Sequence, residues 1–573
     1  MKRHPLFPFQ SFRPTSDRFD TSKNSSIFQS FNFSTFLLPL LLLSSCRGSH
    51  YVLQSITPHR IEVTAALDTH PVAAAQQFIA PYLSGVDSLR MPLVGHSAQF
   101  MPGHRPESLL SNWVADALVD GARRLGYTVD FGLCNMGGLR ASMPQGIVRR
   151  GDILAISPFD NKLTVLQMRG TDVQELMQNI AAVRGEGLST AARLVITPDG
   201  QLRSATIGGQ PIAPDSIYSI ATLDYLADGN DRLYALRNSI ERSVTTELIS
   251  ETLMTQLRLL EAQGRQATSA IEGRIIVEGG AGQQPAAKAT SIIPATADTE
   301  ITLFDAAATS AKSTSLLIVH TNDTHSCIEP LSNLIPDTAH ANKGGALRRT
   351  ALMQQLRQQD PDLLLLDCGD FSQGSAFYSL YHGDVEVGLM NLMHYDAATI
   401  GNHEFDFGLE NMARIFRLAQ FPIVCCNYDF SGTPVEGLVR PYIIIKRAGA
   451  KIGILGVSPQ LEGLVSAKTC TGVRYTDPIA AAQPVADYLR NVERCDLVIC
   501  LSHLGWNISG VSDEEFIAAT HNIDLVLGGH SHTYFTAPEV LKNSNGQLVP
   551  DNQMGKNGRY VGTLRLNLRK KAK

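Results

Sequence analysis

Five short clusters of polar side chains in the C-terminal half of the chain each follow directly after an apolar, strand-like run. The clusters are Asn322–His325, Cys368–Asp370, Gly401–Gly408, Ser502–His503 and Gly528–His532. Open α/β sheets form their sites from side chains that meet where strands end. The pattern therefore predicts an α/β fold from about Ser315 onward, with one site at the edge where these strands end.

The segments between the clusters alternate between helical and strand-like patterns. Residues 362–367 form a nearly continuous apolar run, as expected for a strand that is covered on both faces. Residues 346–358 and 384–394 have the periodicity of helices. Strands that alternate with helices in this way are typical of an α/β domain.

The N-terminal half has a mixed pattern that predicts a separate α+β domain over residues 50–279. Apolar residues share one helical face in 107–125, and residues 163–168 alternate in the manner of a strand. A long helix is predicted over residues 244–263. A chain of 573 residues is too long for a single core. Residues 280–314 are rich in Ala, Thr, Gly, Ser and Pro, and we interpret them as a flexible linker before a domain of residues 315–573.

Residues 1–45 have the features of an export signal. Several basic residues precede the apolar run Phe36–Leu43, which is too short to span a bilayer. The sequence Leu43–Cys46 then resembles a bacterial lipobox, which predicts a lipid anchor on Cys46 and an exported protein of the periplasm or outer membrane of a Gram-negative-type bacterium. The alternatives are a plain cleaved signal and a leader that is not used.

The residue types in the five clusters indicate a metal site. A dinuclear site needs a carboxylate that bridges both ions and further ligands from several loops. Asp323–His325 and His530–His532 can each point two side chains the same way, because side chains alternate along an extended backbone. A mixture of oxygen and nitrogen ligands suits Zn, Mn, Fe or Co better than Mg or Ca. In Gly401–Gly408, Asp406 follows His403 by three residues and can orient its ring.

The N-terminal half carries three weaker signals. Asn135–Arg140 is a glycine turn flanked by an amide and a guanidinium, which could contact a ligand or could be an ordinary turn with a surface arginine. Phe159 and Tyr225 lie in turn-like, polar segments. Aromatic side chains in such loops are candidate stacking platforms for a base, although each could equally lie at the edge of a core.

The motifs DTH, GD, GNHEFDFG, SHLG and GGHSH resemble those of the calcineurin-like metallophosphoesterases, and specifically of the 5′-nucleotidase/UDP-sugar hydrolase family. The resemblance covers residues 315–568 and implies a four-layer α-β-β-α sandwich for the C-terminal half. It also implies ligands for two divalent metals, which Zn, Mn or Co would suit best. The ligands carried over from the family are Asp323, His325, Asp370 and His532 for one ion, and Asp370, Asn402, His503 and His530 for the other. His403 and Asp406 match the catalytic pair of the family, whereas Glu404 would be a structural residue.

The N-terminal half resembles the substrate-binding domain of the same family. The motifs that carry this resemblance are NMGGLR and DYLADGND. By this resemblance Phe159 and Tyr225 would enclose the base, Asn135 and Arg140 would contact the substrate, and Asp231 would hold the ribose hydroxyls. In the usual order of the family a helix leads from the metal domain to a substrate domain that follows it. Here the substrate domain comes first.

The resemblance implies hydrolysis of nucleoside 5′-monophosphates to nucleoside and phosphate by a water molecule that two metal ions activate. Three alternatives stay open: a 2′,3′-cyclic-nucleotide phosphodiesterase/3′-nucleotidase, a UDP-sugar hydrolase, and a surface lipoprotein that binds nucleotides without turnover. The formal net charge is −5, and no long basic run is present. This composition argues against a nucleic-acid polymer as partner, and a lipid on Cys46 would be the only contact with a membrane.

Overall fold

A computed structural model describes residues 51–279, 298–304, 309–332, 340–508 and 510–571, with the side chains of 309–312 and Lys571 left out. These residues belong to one compact unit, Ser49–Lys573. The export signal and Cys46 lie outside the described residues, so both stay predictions. Within the described residues, no helix is long and apolar enough to span a bilayer.

The described elements are as follows. The N-terminal half contains strands β1 (Tyr51–Glu62), β2 (Leu93–Ser97), β3 (Phe131–Cys134), β4 (Gly146–Arg149), β5 (Lys162–Arg169), β6 (Gly187–Leu188), β7 (Ala192–Ile196), β8 (Leu202–Ile207), β9 (Gln210–Pro211), β10 (Ile217–Leu223), β11 (Glu241–Leu248) and β12 (Ile275–Val277), and helices α1 (Ala73–Arg90), α2 (Leu109–Arg124), α3 (Arg150–Ile156), α4 (Gly170–Ala182), α5 (Asp224–Ala227) and α6 (Ile249–Ala262). The C-terminal half contains strands β13 (Ile301–Thr302), β14 (Thr309–Thr321), β15 (Leu364–Asp367), β16 (Ala397–Ala398), β17 (Ile423–Val424), β18 (Tyr428–Asp429), β19 (Val439–Arg440), β20 (Tyr442–Arg447), β21 (Ala450–Val457), β22 (Arg474–Tyr475), β23 (Leu497–Ser502), β24 (Leu525–Leu527), β25 (Glu539–Lys542), β26 (Leu548–Asn552) and β27 (Tyr560–Lys571), and helices α7 (Ala346–Gln359), α8 (Ala376–Tyr381), α9 (Asp384–Met393), α10 (Gly408–Leu418), α11 (Pro478–Asp487) and α12 (Asp513–Ala519).

Two sheets pack face to face in the C-terminal half. One has eight strands in the order β13-β1-β27-β14-β15-β16-β17-β19, and the other has six in the order β20-β21-β23-β24-β26-β25. Leu316 and Ile318 of β14 point into the core between the sheets, while Leu317 and Val319 point to the opposite face, beneath α7, α9 and α10. Helices α11 and α12 cover the outer face of the six-stranded sheet. The predicted four-layer α-β-β-α sandwich is confirmed.

Parallel pairing explains why the polar clusters meet. Strand β14 pairs in parallel with β15, and β15 with β16. In the second sheet β21, β23 and β24 are parallel neighbours. The carboxyl ends of parallel neighbours lie at the same edge of a sheet, so the five clusters that follow these strands come together there.

Residues 51–90 correct the predicted domain boundary at residue 50. Strand β1 runs antiparallel to β27, from Tyr51 opposite Lys570 to Glu62 opposite Tyr560. Ala75 and Ile79 of α1 are buried in the core beneath the eight-stranded sheet. Residues 51–90 therefore pack with residues 298–571, and we call these two segments together the C-terminal body. The sequence did not indicate this because the partner of β1 lies about five hundred residues further along the chain.

The linker prediction over residues 280–314 also needs correction. Strand β13 pairs with β1, and β14 begins at Thr309, where it already pairs with β27. Part of the predicted linker is therefore strand at the edge and in the middle of the large sheet. Residues 280–297 and 305–308 lie outside the described residues.

Residues 93–279 form the remaining domain, which we call the insert domain because the C-terminal body precedes and follows it in the chain. A five-stranded sheet, β11-β5-β10-β3-β6, and a four-stranded sheet, β12-β7-β8-β9, share one core with α2, α4 and α6. Strands β3 and β10 are parallel neighbours. Both therefore end at the same edge, where the motifs at Asn135–Arg140 and Asp224–Asp231 follow directly.

Candidate functional site

A cavity of about 480 Å³ lies between the insert domain and the C-terminal body. The predicted site residues that line it are Asn135, Arg140, Phe159, Tyr225 and Asp231 from the insert domain, and Asp370, Asn402, His403, Asp406, His530 and His532 from the C-terminal body. Asp323, His325 and His503 are buried beside these residues, below the cavity surface. The structure thus gathers every predicted metal, catalytic and substrate-binding residue into one region.

Five of the predicted ligands have left-handed backbone conformations. Their φ angles lie between 44° and 71°, and the residues are Asp323, His325, Asp370, His530 and His532. Residues other than glycine adopt this region only when the surrounding structure imposes it, and such residues concentrate at functional sites. The surrounding fold rather than local preference therefore sets the turns after the strand ends and aims these side chains toward one region.

Asp323, His325 and His532 form the first group of candidate ligands. The Nε2 atoms of His325 and His532 lie 2.9 Å apart, and Asp323 Oδ1 lies 3.4 Å from His532 Nε2. Asp370 Oδ2 lies 4.0 Å from His325 Nε2, so its carboxylate borders this group. Burial lowers the pKa of both His325 and His532 well below the usual value, which leaves their rings neutral and able to bind a cation.

The second group consists of Asp370, His503 and His530. His503 Nε2 lies 3.1 Å from Asp370 Oδ2, and the amide oxygen of Asn402 lies 2.9 Å from His530 Nδ1. Burial lowers the pKa of His530 to about 3. Burial alone would raise the pKa of Asp370, but His503 and His403 hold it well below its usual range. Asp370 is therefore an ionised carboxylate between the two groups.

The surroundings of His503 test whether a metal fits. Its Nδ1 lies 2.6 Å from the Cys368 carbonyl oxygen, which requires a proton on Nδ1. Its Nε2 is fully buried, makes no hydrogen bond and faces the Asp370 carboxylate. Burial lowers the pKa of His503, but the Asp370 carboxylate outweighs burial and raises it to about 10. The pair therefore holds a positive charge between its atoms, either a proton on Nε2 or a metal ion in its place. The donor set therefore fits divalent metal ions, and the carboxylate that lies between the groups can bridge two of them.

His403 has a different partner on each ring nitrogen. Asp406 Oδ2 lies 3.0 Å from its Nδ1, and the guanidinium of Arg140 contacts its Nε2. The ring of Phe159 stacks on it with centroids 5.9 Å apart. Burial lowers the pKa of His403, but Asp406 and Asp370 outweigh burial and raise it. His403 also forms a third group of possible ligands with His325 and Asp370, but its ring nitrogens already contact Arg140 and Asp406.

Glu404 has the structural role that the resemblance implied. Its carboxylate accepts hydrogen bonds from the backbone N–H groups of Gly401, Asp370 and Ser372, at 2.6, 3.1 and 3.1 Å. It is fully buried and does not line the cavity. Glu404 therefore ties the loop at 368–372 to the loop at 401–408.

The predicted substrate residues of the insert domain contact one another. Asn135 Nδ2 donates to Asp231 Oδ2 at 2.5 Å, and the Tyr225 hydroxyl donates to Asp231 Oδ1 at 2.9 Å. The guanidinium carbon of Arg140 lies 5.7 Å from the centre of the Phe159 ring. Burial and Asp231 raise the pKa of Tyr225 well above its usual value, so the phenol keeps its proton.

Several residues that line the cavity were not predicted. They are Gln373, Tyr378, Phe407, Leu464, Val465, Ser466 and Thr469 of the C-terminal body, with Asp160, Asn161 and Asp224 of the insert domain. Gln373 and Tyr378 follow shortly after the Cys368–Asp370 cluster. This proximity in the sequence was the signal that could have placed them at the cavity. The segment at 464–469 contains no motif, and nothing in the sequence distinguishes it from an ordinary surface loop.

Comparison with known proteins identifies both domains. Residues 316–534 match the calcineurin-like phosphoesterase family, and residues 93–238 match the 5′-nucleotidase C-terminal domain. The chain is 32% identical to 5′-nucleotidase of Rattus norvegicus over 275 residues, which are 45% of this chain and 47% of the relative. It is 31% identical to the Homo sapiens 5′-nucleotidase over 270 residues, which are 44% and 46% of the two chains. The chain thus spans about half the length of these curated relatives.

Among solved structures, the 5′-nucleotidase precursor from Thermus thermophilus is 30% identical, with a TM-score of 0.40 and coverage of 44% of this chain and 51% of that chain. The beginning of the insert domain coincides with the beginning of the 5′-nucleotidase C-terminal match at residue 93. The chain therefore contains a calcineurin-like phosphoesterase domain and, ahead of it, a 5′-nucleotidase C-terminal domain.

Proposed function

We propose that this protein is a metal-dependent phosphomonoesterase that hydrolyses nucleoside 5′-monophosphates to nucleoside and phosphate. One observation carries the proposal. A single cavity is lined by candidate metal ligands, by the His403–Asp406 pair and by the polar and aromatic residues of the insert domain. A nucleotide in this cavity could contact all three sets at once.

Two groups of side chains would hold the metals. Asp323, His325, Asp370 and His532 would bind one ion, and Asp370, Asn402, His503 and His530 the other. When bound, two divalent ions supply an activated water and neutralise charge on the phosphoryl oxygens. The mixture of carboxylate, amide and imidazole ligands favours Zn, Mn or Co.

The contact between Arg140 and His403 supports phosphate binding between them. A guanidinium only donates, so His403 Nε2 accepts in this contact, and the same nitrogen becomes a donor once the ring is protonated. A phosphoryl oxygen placed between the two would accept from each and separate their positive charges. His403, held by Asp406 at Nδ1, would then stabilise charge that develops on the phosphoryl group or on the leaving oxygen.

The insert domain would hold the nucleoside. Phe159 and Tyr225 offer aromatic rings to the base, and base–aromatic stacking contributes about 1–3 kcal/mol in other nucleotide-binding sites. Asp231 offers carboxylate oxygens that accept from ribose hydroxyls, and Asn135 fixes the carboxylate by its own hydrogen bond. These contacts would favour a nucleotide over a simple phosphate ester.

The test is phosphate release by the purified protein, stripped of metal and then supplied with Mn, Zn, Co or Mg. The substrates are AMP, 3′-AMP, 2′,3′-cyclic AMP and UDP-glucose. We expect AMP to give the highest kcat/KM, with release that requires Mn, Zn or Co. A preference for 2′,3′-cyclic AMP, or AMP binding without metal-dependent release, would contradict the proposal and favour a cyclic phosphodiesterase or a binding protein.

A further inference from the structure

A loop of the C-terminal body reaches across the cavity to the insert domain. We call residues 461–469 the crossing loop. Leu461 and Val465 are buried in the core beneath the eight-stranded sheet, which anchors the loop in the C-terminal body. Its carbonyl oxygens at Gly463 and Leu464 accept hydrogen bonds from the insert domain. The loop therefore joins the two domains at the rim of the cavity.

The two donors of the insert domain belong to residues already placed at the substrate. The backbone N–H of Asp231 donates to the Gly463 carbonyl at 3.0 Å. The Tyr225 hydroxyl lies 3.1 Å from the Leu464 carbonyl. An ion pair of Arg237 Nη1 with Glu462 Oε1, at 3.2 Å, also joins the loop to the insert domain. Tyr225 and Asp231 therefore carry part of the contact between the domains as well as the proposed contact with substrate.

The Tyr225 hydroxyl has one proton and two acceptors. The Asp231 carboxylate lies 2.9 Å from it, slightly closer than the Leu464 carbonyl. A phenol can donate only one strong hydrogen bond, and a carboxylate is the stronger acceptor. Without a ligand, Asp231 therefore draws the Tyr225 proton away from the crossing loop.

A vicinal diol would change this competition. The two hydroxyls of a ribose can donate to the Asp231 carboxylate, which then spreads its negative charge over more donors and becomes a weaker acceptor for Tyr225. The balance of the Tyr225 proton shifts toward the Leu464 carbonyl. Binding of the diol and docking of the insert domain on the crossing loop would reinforce each other.

We propose that Tyr225 couples recognition of a ligand's vicinal diol to docking of the insert domain on the crossing loop. Ribonucleosides would favour the closed arrangement more than nucleosides without the 2′ and 3′ hydroxyls. The choice of ligand class rests on the proposed function, whereas the hydrogen-bond competition rests on the geometry of Tyr225. In this coupling Tyr225 is a positioning residue as well as a surface for the base.

Amide hydrogen exchange of the full chain, measured by mass spectrometry, tests the coupling. The probes are adenosine and 2′,3′-dideoxyadenosine, each at a concentration that gives equal occupancy by equilibrium dialysis. The reporter is the peptide that contains the Asp231 N–H, because this amide donates across the domain boundary. Adenosine should slow its exchange roughly two- to tenfold more than dideoxyadenosine, the factor expected from one hydrogen bond.

Three variants make the test specific. Tyr225→Phe keeps the ring and removes the hydroxyl, so the difference between the two nucleosides should vanish. Tyr234→Phe removes a hydroxyl from an exposed tyrosine of the same domain and should keep the difference. Gly463→Ala places a side chain where φ is +82° and should speed exchange of the Asp231 amide even without ligand.

Equal slowing by both nucleosides, or a difference that survives in Tyr225→Phe, would overturn the coupling. The experiment involves no turnover and is therefore separate from the proposed hydrolysis. A diol-dependent effect in a protein that does not cleave AMP would refute the proposed function alone. AMP cleavage without a diol-dependent effect would refute the coupling alone.

Discussion

The imidazole of His403 is set apart from the other histidines of the site by its hydrogen-bond partners. Asp406 lies at Nδ1 and the Arg140 guanidinium contacts Nε2, whereas the other four rings belong to the two groups of candidate ligands. A ring with a raised pKa between a carboxylate and the cavity can serve as a cationic donor. Burial lowers the pKa of the candidate ligands His325, His530 and His532, which suits these rings to metals instead. Burial alone would also lower the pKa of His503, but the Asp370 carboxylate, which a metal ion would share with it, raises it.

His403→Asn should lower kcat for AMP by roughly two to four orders of magnitude, because the donor to the phosphoryl group is lost. The metal content, measured by inductively coupled plasma mass spectrometry, should stay unchanged. Loss of a metal ion in this variant would show that His403 is a ligand. Unchanged turnover would show that the ring takes no part in the reaction.

Asp370→Asn should reduce both metals at once, because the Asp370 carboxylate belongs to the second candidate group and also borders His325 of the first. We expect the bound metal to fall from about two ions per chain to below one and kcat to fall by at least about 100-fold. Asp362→Asn is the matched control, since Asp362 is exposed and lies just before β15. An Asp370→Asn protein that keeps both ions would contradict the bridging role.

Single-residue chemistry was the part of the site most open to prediction from sequence. The candidate ligands stand directly after strands, and their residue types restrict the chemistry whatever the surrounding fold. Residues such as Leu464 and Thr469 were not predictable, because an apolar or hydroxyl side chain carries no signal until the fold places it at a cavity. The role proposed for Tyr225 toward the crossing loop could be inferred only from the position of Leu464, which lies more than two hundred residues away in the sequence.

At the scale of elements, strand β1 shows that local sequence patterns do not predict which strands pair with each other. Helix α7 was predicted over 346–358 and spans Ala346–Gln359, because its pattern is local. The predicted helix over 244–263 begins only at Ile249, and residues 241–248 form β11, which pairs with β5. Such pairing depends on distant residues. The placement of β1 beside β27 has the same cause.

Ile56→Ala should destabilise the C-terminal body by about 2–5 kcal/mol, because Ile56 is fully buried in β1 opposite Leu566. Thermal unfolding followed by calorimetry would show a lower Tm for the transition that metal binding stabilises. Ile276→Ala removes the same atoms from a residue that is 50% exposed in the insert domain and should change stability by less than about 0.5 kcal/mol. An unchanged Tm for Ile56→Ala would mean that β1 contributes little to the sheet.

At the scale of the whole molecule, the chain passes between the domains twice. It leaves the C-terminal body after α1 and returns to it before β13. Between these crossings the insert domain contacts the C-terminal body at the cavity and at the crossing loop. The predicted organisation had a single connection at residues 280–314, which would have left docking unconstrained.

A protease site introduced within residues 280–297 tests the double connection. After cleavage the two fragments should elute together in gel filtration under native conditions, because β1 holds the N-terminal fragment to β27. A second site between Arg90 and Leu93 should allow the insert domain to separate once both sites are cut. Separation after the first cut alone would contradict the arrangement of β1.

The pairing of β1 with β27 also explains the unusual order of the two domains. Tyr51 stands opposite Lys570, so a short turn could join the end of β27 to the start of β1. In such a chain the C-terminal body would run without interruption into α1, and α1 would lead into the insert domain. That is the order expected of the family, with a helix between the two domains. The order of elements is thus a circular permutation of the expected order, in which β1, α1 and the insert domain precede the rest of the C-terminal body instead of following it.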